Sequence, residues 1–272
     1  MKPNNKSNQW PSTLGRVLLF WLGSIVVFAA SSALTKQLPT DWAPVLAIII
    51  ALIGSLLLTI LFARWEGLQL KDAGLLPGNK SIFRVLAGFT IGSLLAFLQA
   101  MLVLVTGHIT LAWSPQISFS TLISNLLLYV LVACREEVAF RGFPLQSLNK
   151  IAGRWKALLI TTGLFIIEHK MGGMSWPQAI LGPGAGAILF GLAALKTKGL
   201  ALPVGLHTAW NVGQWLLGFK NGTGWYKAVI EKGYEARTEH AGWISYLLVM
   251  GLAILSFYYW KRNTEQRSGE IA

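Results

Sequence analysis

The sequence predicts an all-α polytopic membrane protein of about eight transmembrane helices. Three observations carry this. The chain is 54% hydrophobic and only 12% charged, with a mean hydropathy of +0.54, well outside the range of a soluble domain. Its apolar residues fall into runs of roughly 17–22, the length that a ~30 Å hydrocarbon core demands. Its cations are sorted along the chain. With the N-terminus placed in the cytoplasm, seventeen of the 23 Lys and Arg fall in inner segments; the outer loops keep Lys36, Lys170, Lys220, Lys227, Lys232 and Arg237. That bias predicts both termini inside and an even number of spans, in a plasma membrane if the chain is bacterial.

The spans follow in order at 17–34, 43–63, 85–105, 119–140, 157–174, 178–195, 200–219 and 243–260. The first ends in Ala29-Ala30-Ser31-Ser32-Ala33, small residues like those of a signal-peptide cleavage site. Its length and the seven spans behind it favour a retained helix. The stretch 64–84, with Pro77-Gly78-Asn79, reads as an inner loop with a short amphipathic helix in the interface. Residues 149–156 form a second inner loop that turns at Gly153. Spans 5 and 6 have the least certain limits, because Glu168, His169 and Lys170 interrupt one and Gly182-Pro183-Gly184 the other. Pro183 should kink its helix. The glycines of these two spans (163, 172, 173, 182, 184, 186 and 191) read as close helix packing. Residues 220–240 are the longest outer loop. The chain divides into an N-terminal part (1–118), a core of helices 4–7 (119–219) and an outer loop with the last helix (220–272).

The composition excludes several functions. A net charge of +12 would point to nucleic acid in a soluble chain, yet no basic stretch is interleaved with aromatic residues. Cys134 is the single cysteine, which rules out an intramolecular disulfide and a multi-cysteine zinc site; it reads as a buried, inert thiol. Of the twelve tryptophans, Trp42, Trp65, Trp113, Trp155, Trp176, Trp243 and Trp260 lie near the ends of spans and suit an aromatic belt. Trp210 and Trp215 fall near the polar residues of span 7, where packing is the simpler role.

Spans 4–7 hold the unusual polar insertions. An ionisable group within a membrane helix is costly unless paired or functional, and three sets occur: Glu136-Glu137-Val138-Ala139-Phe140-Arg141, Phe165…His169 and His207…Asn211. Glu137 and Arg141 are i,i+4 neighbours and can pair. Glu136, about 100° away round the helix, is then free to act as a general base in a low-dielectric pocket; the converse, with Glu137 catalytic, stays open. His169 lies ~20 Å along a helix from Lys156, and His207 ~13 Å from Lys198. Both depths fall inside the core. Glu136 reaches a similar level if span 4 continues toward Pro144, with Arg141 snorkelling outward. His108 and His240 fall in outer loops, away from these groups.

In order and spacing, Glu136-Glu137-x-x-x-Arg141, Phe165-x-x-x-His169 and His207-x-x-x-Asn211 resemble the three motifs of the CPBP family. That family groups CAAX prenyl endopeptidases with Abi-like bacteriocin-processing and immunity proteins. Gly142 and Leu145 suit its Arg-Gly-x-x-Leu-like continuation. The resemblance implies a glutamate-dependent intramembrane endopeptidase acting on a peptide or protein substrate in the bilayer, such as a prenylated tail or a bacteriocin precursor. It implies that Glu136 with His169 activates water, that His207 with Asn211 stabilises the oxyanion through neutral imidazole and amide N–H groups, and that Glu137 and Arg141 order the site. An older view of the family as zinc proteases would make Glu136, His169 and His207 metal ligands. The His-Glu-x-x-His spacing is lacking, so metal-free chemistry is favoured. A different class, a non-catalytic immunity or scaffold protein or a proton-coupled transporter, would use the same buried Glu and His residues; no inverted repeat supports the transporter.

Overall fold

A computed structural model describes residues 6–38, 42–114, 117–220 and 224–260. Lys2, Lys261, Arg262, Arg267, Gly222 and Thr223 lie outside the described residues. Each of the eight expected spans is helical. The first three are α1 (Lys6–Thr35), α2 (Ala43–Glu66) and α3 (Ser81–Thr106). The fourth, α4 (Phe119–Glu137), runs through a π segment (Val138–Gly142) into α5 (Phe143–Ala152). Then come α6 (Arg154–Met171) and a short α7 (Trp176–Ala179), which passes through a second π segment (Ile180–Gly184) into α8 (Ala185–Thr197). The last two are α9 (Ala201–Leu216) and α10 (Glu235–Tyr259). Among the described residues five helical units are long and apolar enough to cross a membrane: α1 from Trp10, α2, α3, α7–α8 and α10. The units outside this set, α4, α6 and α9, carry the three polar motifs. Much of the outer surface of α1, α2, α3 and α10 is exposed leucine, isoleucine, valine and phenylalanine, the surface of a protein solvated by lipid. The chain is an all-α integral membrane protein.

Both π segments accompany a proline. Proline lacks an N–H, and in an α-helix its ring presses on the carbonyl four residues back. Widening the turn to i→i+5 gives Pro144 and Pro183 room without breaking the rod. Span 4 therefore continues inward past Glu136, and the kink expected at Pro183 takes this wider form. Helix ends follow from local chemistry. Ser118 caps α4, its hydroxyl accepting from the Thr121 N–H at 3.0 Å, and Ser175 with Gln178 forms a capping box on α7. Gly67, in the left-handed conformation at φ 68°, closes α2; its N–H donates to the Arg64 carbonyl while the Leu68 N–H reaches back to Ala63.

The structure departs from the sequence reading in several places. The loop 67–80 is a run of turns with no amphipathic helix. The outer segments are better ordered than expected: β1 (Ile109–Trp113) pairs antiparallel with β2 (Tyr226–Ile230), Ile109 opposite Ile230 and Trp113 opposite Tyr226. His108 Nδ1 donates to the Glu231 carboxylate at 2.9 Å across the end of this ribbon and stacks on Tyr234, which accounts for it without any chemistry. α10 begins two turns earlier than its apolar run, because Glu235 and the polar residues after it extend the rod into the outer layer.

One close backbone approach was not expected from the sequence. It joins α3 to α9, where Gly88 and Gly205 face each other's helix and Gly92 meets Leu206 and Ala209, while in spans 5 and 6 Gly184 and Gly191 pack on Ile166 and Leu158 of α6 as expected. A methyl group on Gly205 would overlap the Val85 carbonyl oxygen, whereas Gly163 has open space around it. Small residues of this kind let backbones meet, and the contact anchors α9, with His207 and Asn211, against α3. Gly205→Val is expected to destabilise the protein by about 1–3 kcal/mol through overpacking, read as a lowered unfolding midpoint in detergent. Gly163→Val should leave that midpoint nearly unchanged.

Candidate active site

The three motifs meet. Glu136 from the end of α4, His169 from α6, and His207 and Asn211 from α9 line one cavity of about 580 Å³. The second π segment and α8 contribute Gly182, Pro183, Gly186 and Phe190 to its wall, and α10 adds Trp243 and Tyr246. The glycines keep this wall low. Trp243, read as part of an aromatic belt, also lines this cavity. Trp210 also lines the space, edge-on to Tyr246, while Trp215 is buried in packing against Tyr129.

Behind the cavity wall lies a buried charge cluster. Glu137 is fully buried; its Oε1 accepts from His207 Nδ1 at 2.9 Å and lies 3.3 Å from Arg141 Nη1. Arg141 does not snorkel. Its guanidinium sits 4.7 Å from the Phe165 ring and 5.7 Å from Phe190, and donates to the Ala187 carbonyl at 3.4 Å. A guanidinium is weakly hydrated and stacks on rings, so with Glu137 opposite it is held in place at this depth. Phe165 thus has two tasks: it covers Arg141 and packs on His169 at 4.3 Å.

Hydrogen-bond partners assign the ring protons. His169 Nδ1 lies 2.9 Å from the Phe165 carbonyl, one turn back. A carbonyl can only accept, so Nδ1 carries the proton and Nε2 keeps a lone pair. His207 Nδ1 likewise donates to the Glu137 carboxylate, and Phe190 stacks on the ring at 4.6 Å and 16°. His207 Nε2 faces Glu136 Oε2 at 3.6 Å, too long for a hydrogen bond but close for an ion pair. With Nδ1–H committed to Glu137, a neutral His207 has no N–H left for the cavity. Donation from Nε2 therefore requires the imidazolium. The sequence reading of a neutral donor did not include the Glu137 contact at Nδ1, which only the fold shows.

A second buried ion pair sits beside the first. Arg135 Nη1 contacts Glu168 Oε1 at 2.5 Å, and Nη2 reaches Ser24 on α1 at 3.3 Å. Each partner precedes a cavity residue in the chain, so the pair ties Glu136 and His169 together through their neighbours. Glu168, which interrupts span 5, is thereby neutralised. A smaller cavity of about 310 Å³ reaches Glu136 and His169 from the α1–α2 side. Lys220, assigned by sequence to the outer loop, also lines the main cavity.

Glu136, His169 and His207 do not form a metal-ligand cluster: among the described residues no three His, Cys, Asp or Glu side chains are placed to hold an ion.

Residues 118–213 match the family described as Type II CAAX prenyl endopeptidase Rce1-like. The match takes in all three motifs and the π segments between them, and bears out the family resemblance read from their spacing. No curated protein and no solved structure matches the chain. Residues 1–117 and everything beyond 213, including Lys220 and the α10 wall of the cavity, lie outside the matched segment.

Proposed function

We propose that this chain is an intramembrane endopeptidase that hydrolyses a peptide bond near the terminus of a membrane-associated or lipidated peptide or protein, using water activated by Glu136. The observation that supports it most is the meeting of Glu136, His169, His207 and Asn211, from three separate helices, in one cavity. In this reading Glu136 takes a proton from water while His169 Nε2 holds the same water through its lone pair. The hydroxide adds to the scissile carbonyl. The developing oxyanion meets the His207 imidazolium and the Asn211 amide N–H₂, charge stabilisation of the kind that dominates acyl transfer. The proton held by Glu136 then passes to the leaving amine, and acid and amine products depart. Glu137 and Arg141 set the His207 ring.

Motif residues carried on apolar spans suit a substrate held in the bilayer by a lipid or an apolar segment. A prenylated tail and a bacteriocin precursor are both of this kind. The sorting of cations supports cytoplasmic termini. Cleavage by the purified protein in detergent tests the function, on a fluorogenic library of prenylated and unprenylated peptides. Turnover is expected to be indifferent to a zinc chelator. Loss on chelation with recovery on adding zinc would overturn the metal-free chemistry while keeping the peptidase. If well-folded protein cleaves no peptide in the set, the non-catalytic immunity, scaffold or transporter reading takes over.

A further inference from the structure

Lys220 has no place in the motifs, yet its side chain enters the cavity they form. Its Nζ donates to Asn211 Oδ1 at 2.9 Å and lies 4.8 Å from the centre of the Tyr129 ring. The backbone delivering it is held. Gly218, in the left-handed conformation at φ 74°, closes α9 with two bonds of 3.0 Å, Gly218 N–H to the Trp215 carbonyl and Phe219 N–H to Gln214, the Schellman pattern. β2 packs directly on Gly218. Lys220 is thus fixed at the cavity by the end of one helix and the edge of the ribbon.

An ammonium can only donate, so the Asn211 atom facing it must be the carbonyl oxygen. That leaves both N–H bonds of Nδ2 for the cavity. We propose that Lys220 is a positioning residue for the hydrolysis: it sets the orientation of the Asn211 amide and holds positive charge beside the place where the oxyanion forms. This rests on the peptidase reading above. Charged and titratable groups around it are Glu136 and Tyr129 on α4, His207 on α9, His169 on α6 and Tyr246 on α10. Burial pushes the Lys220 ammonium below its usual range, while the Glu136 carboxylate opposes that shift. A group with a lowered pKa is charged at low pH and neutral as pH rises, so the contribution of Lys220 is lost on the alkaline side.

Turnover and spectroscopy together test this. Lys220→Met is expected to lower kcat by about tenfold to a hundredfold, within the range for loss of an oxyanion donor, with KM within about twofold. Adding Asn211→Ala to it should cost little more, since the two act as one unit. Lys220→Arg, whose guanidinium stays charged, should keep more activity and move the alkaline limb of the pH profile upward. The ¹⁵N resonance of the Asn211 side-chain amide reads the contact without turnover; it should shift as Lys220 deprotonates and lose that dependence in Lys220→Met. Full activity in Lys220→Met, additive losses in the double variant, or an unmoved alkaline limb in Lys220→Arg would overturn the positioning role. A resonance flat with pH would overturn the amide orientation whatever the activity. Inactive wild-type protein whose resonance still follows Lys220 would instead overturn hydrolysis, and the positioning role with it, leaving the contact standing.

Discussion

Glu136→Gln is expected to lower peptide hydrolysis by about 10²- to 10⁴-fold, the contribution of a positioned general base, without unfolding the protein. Glutamine has nearly the same size and shape, and Glu136 is partly exposed to the cavity with His207 Nε2 at 3.6 Å as its near ion-pair partner. What the amide cannot do is accept a proton from water. The loss should therefore appear in kcat, with KM little changed, because the missing interaction belongs to the transition state. Circular dichroism and the unfolding midpoint in detergent provide the control. A Glu136→Gln enzyme within tenfold of wild type would sink the assignment. Were Glu137→Gln alone inactive with its fold intact, the converse assignment of the two glutamates would gain.

Much of the fold was legible because the bilayer imposes it. A ~30 Å core sets a minimum run of apolar residues, and each of the eight such runs is helical, although the rods of α1, α4–α5 and α10 extend well beyond their apolar runs. The inaccuracies lie where that constraint stops. Tyr226–Ile230 forms a strand only because Ile109–Trp113 lies beside it, and a pairing across more than a hundred residues leaves no local trace. Glu235 begins α10 outside the apolar run because the rod continues beyond the hydrocarbon layer. The tight α3–α9 contact was equally hidden. Its glycines are spread over two spans, whereas the conspicuous glycines of spans 5 and 6 partly face open space or line the cavity.

The site was legible for the opposite reason. Glu136, His169, His207 and Asn211 stand out against apolar helices, so each was conspicuous on its own, and their meeting in one cavity follows from three rods packing side by side. Arg141 was seen but its surroundings were not. Snorkelling assumed open water within reach, whereas Phe165, Phe190 and Glu137 enclose the guanidinium. Lys220 was missed because a lysine just past a span normally marks the interface. Only the turn at Gly218 directs it inward. The same logic gave Trp243 to an aromatic belt and did not show that it also lines the cavity.

Glu137→Leu is expected to be among the most destabilising single changes in the molecule, at about 3–5 kcal/mol, because it leaves Arg141 a buried charge without its counterion. The guanidinium would retain one hydrogen bond, to the Ala187 carbonyl, and the faces of Phe165 and Phe190. Removing the charge as well, in Glu137→Leu with Arg141→Met, should restore much of the lost stability, since a buried ion pair is replaced at little net cost by apolar groups of similar volume. Activity should not return with it. In either variant His207 Nδ1 loses its acceptor, so nothing holds the proton on that nitrogen and the ring is free to take the other tautomer. A stable, inactive double variant would separate the two tasks of Glu137: balancing Arg141, which hydrophobic packing can replace, and orienting His207, which it cannot. A double variant that is both stable and active would show that the cluster serves the fold alone and that His207 acts without Glu137. Thermal unfolding in detergent measured beside kcat for wild type, single and double variants decides between them.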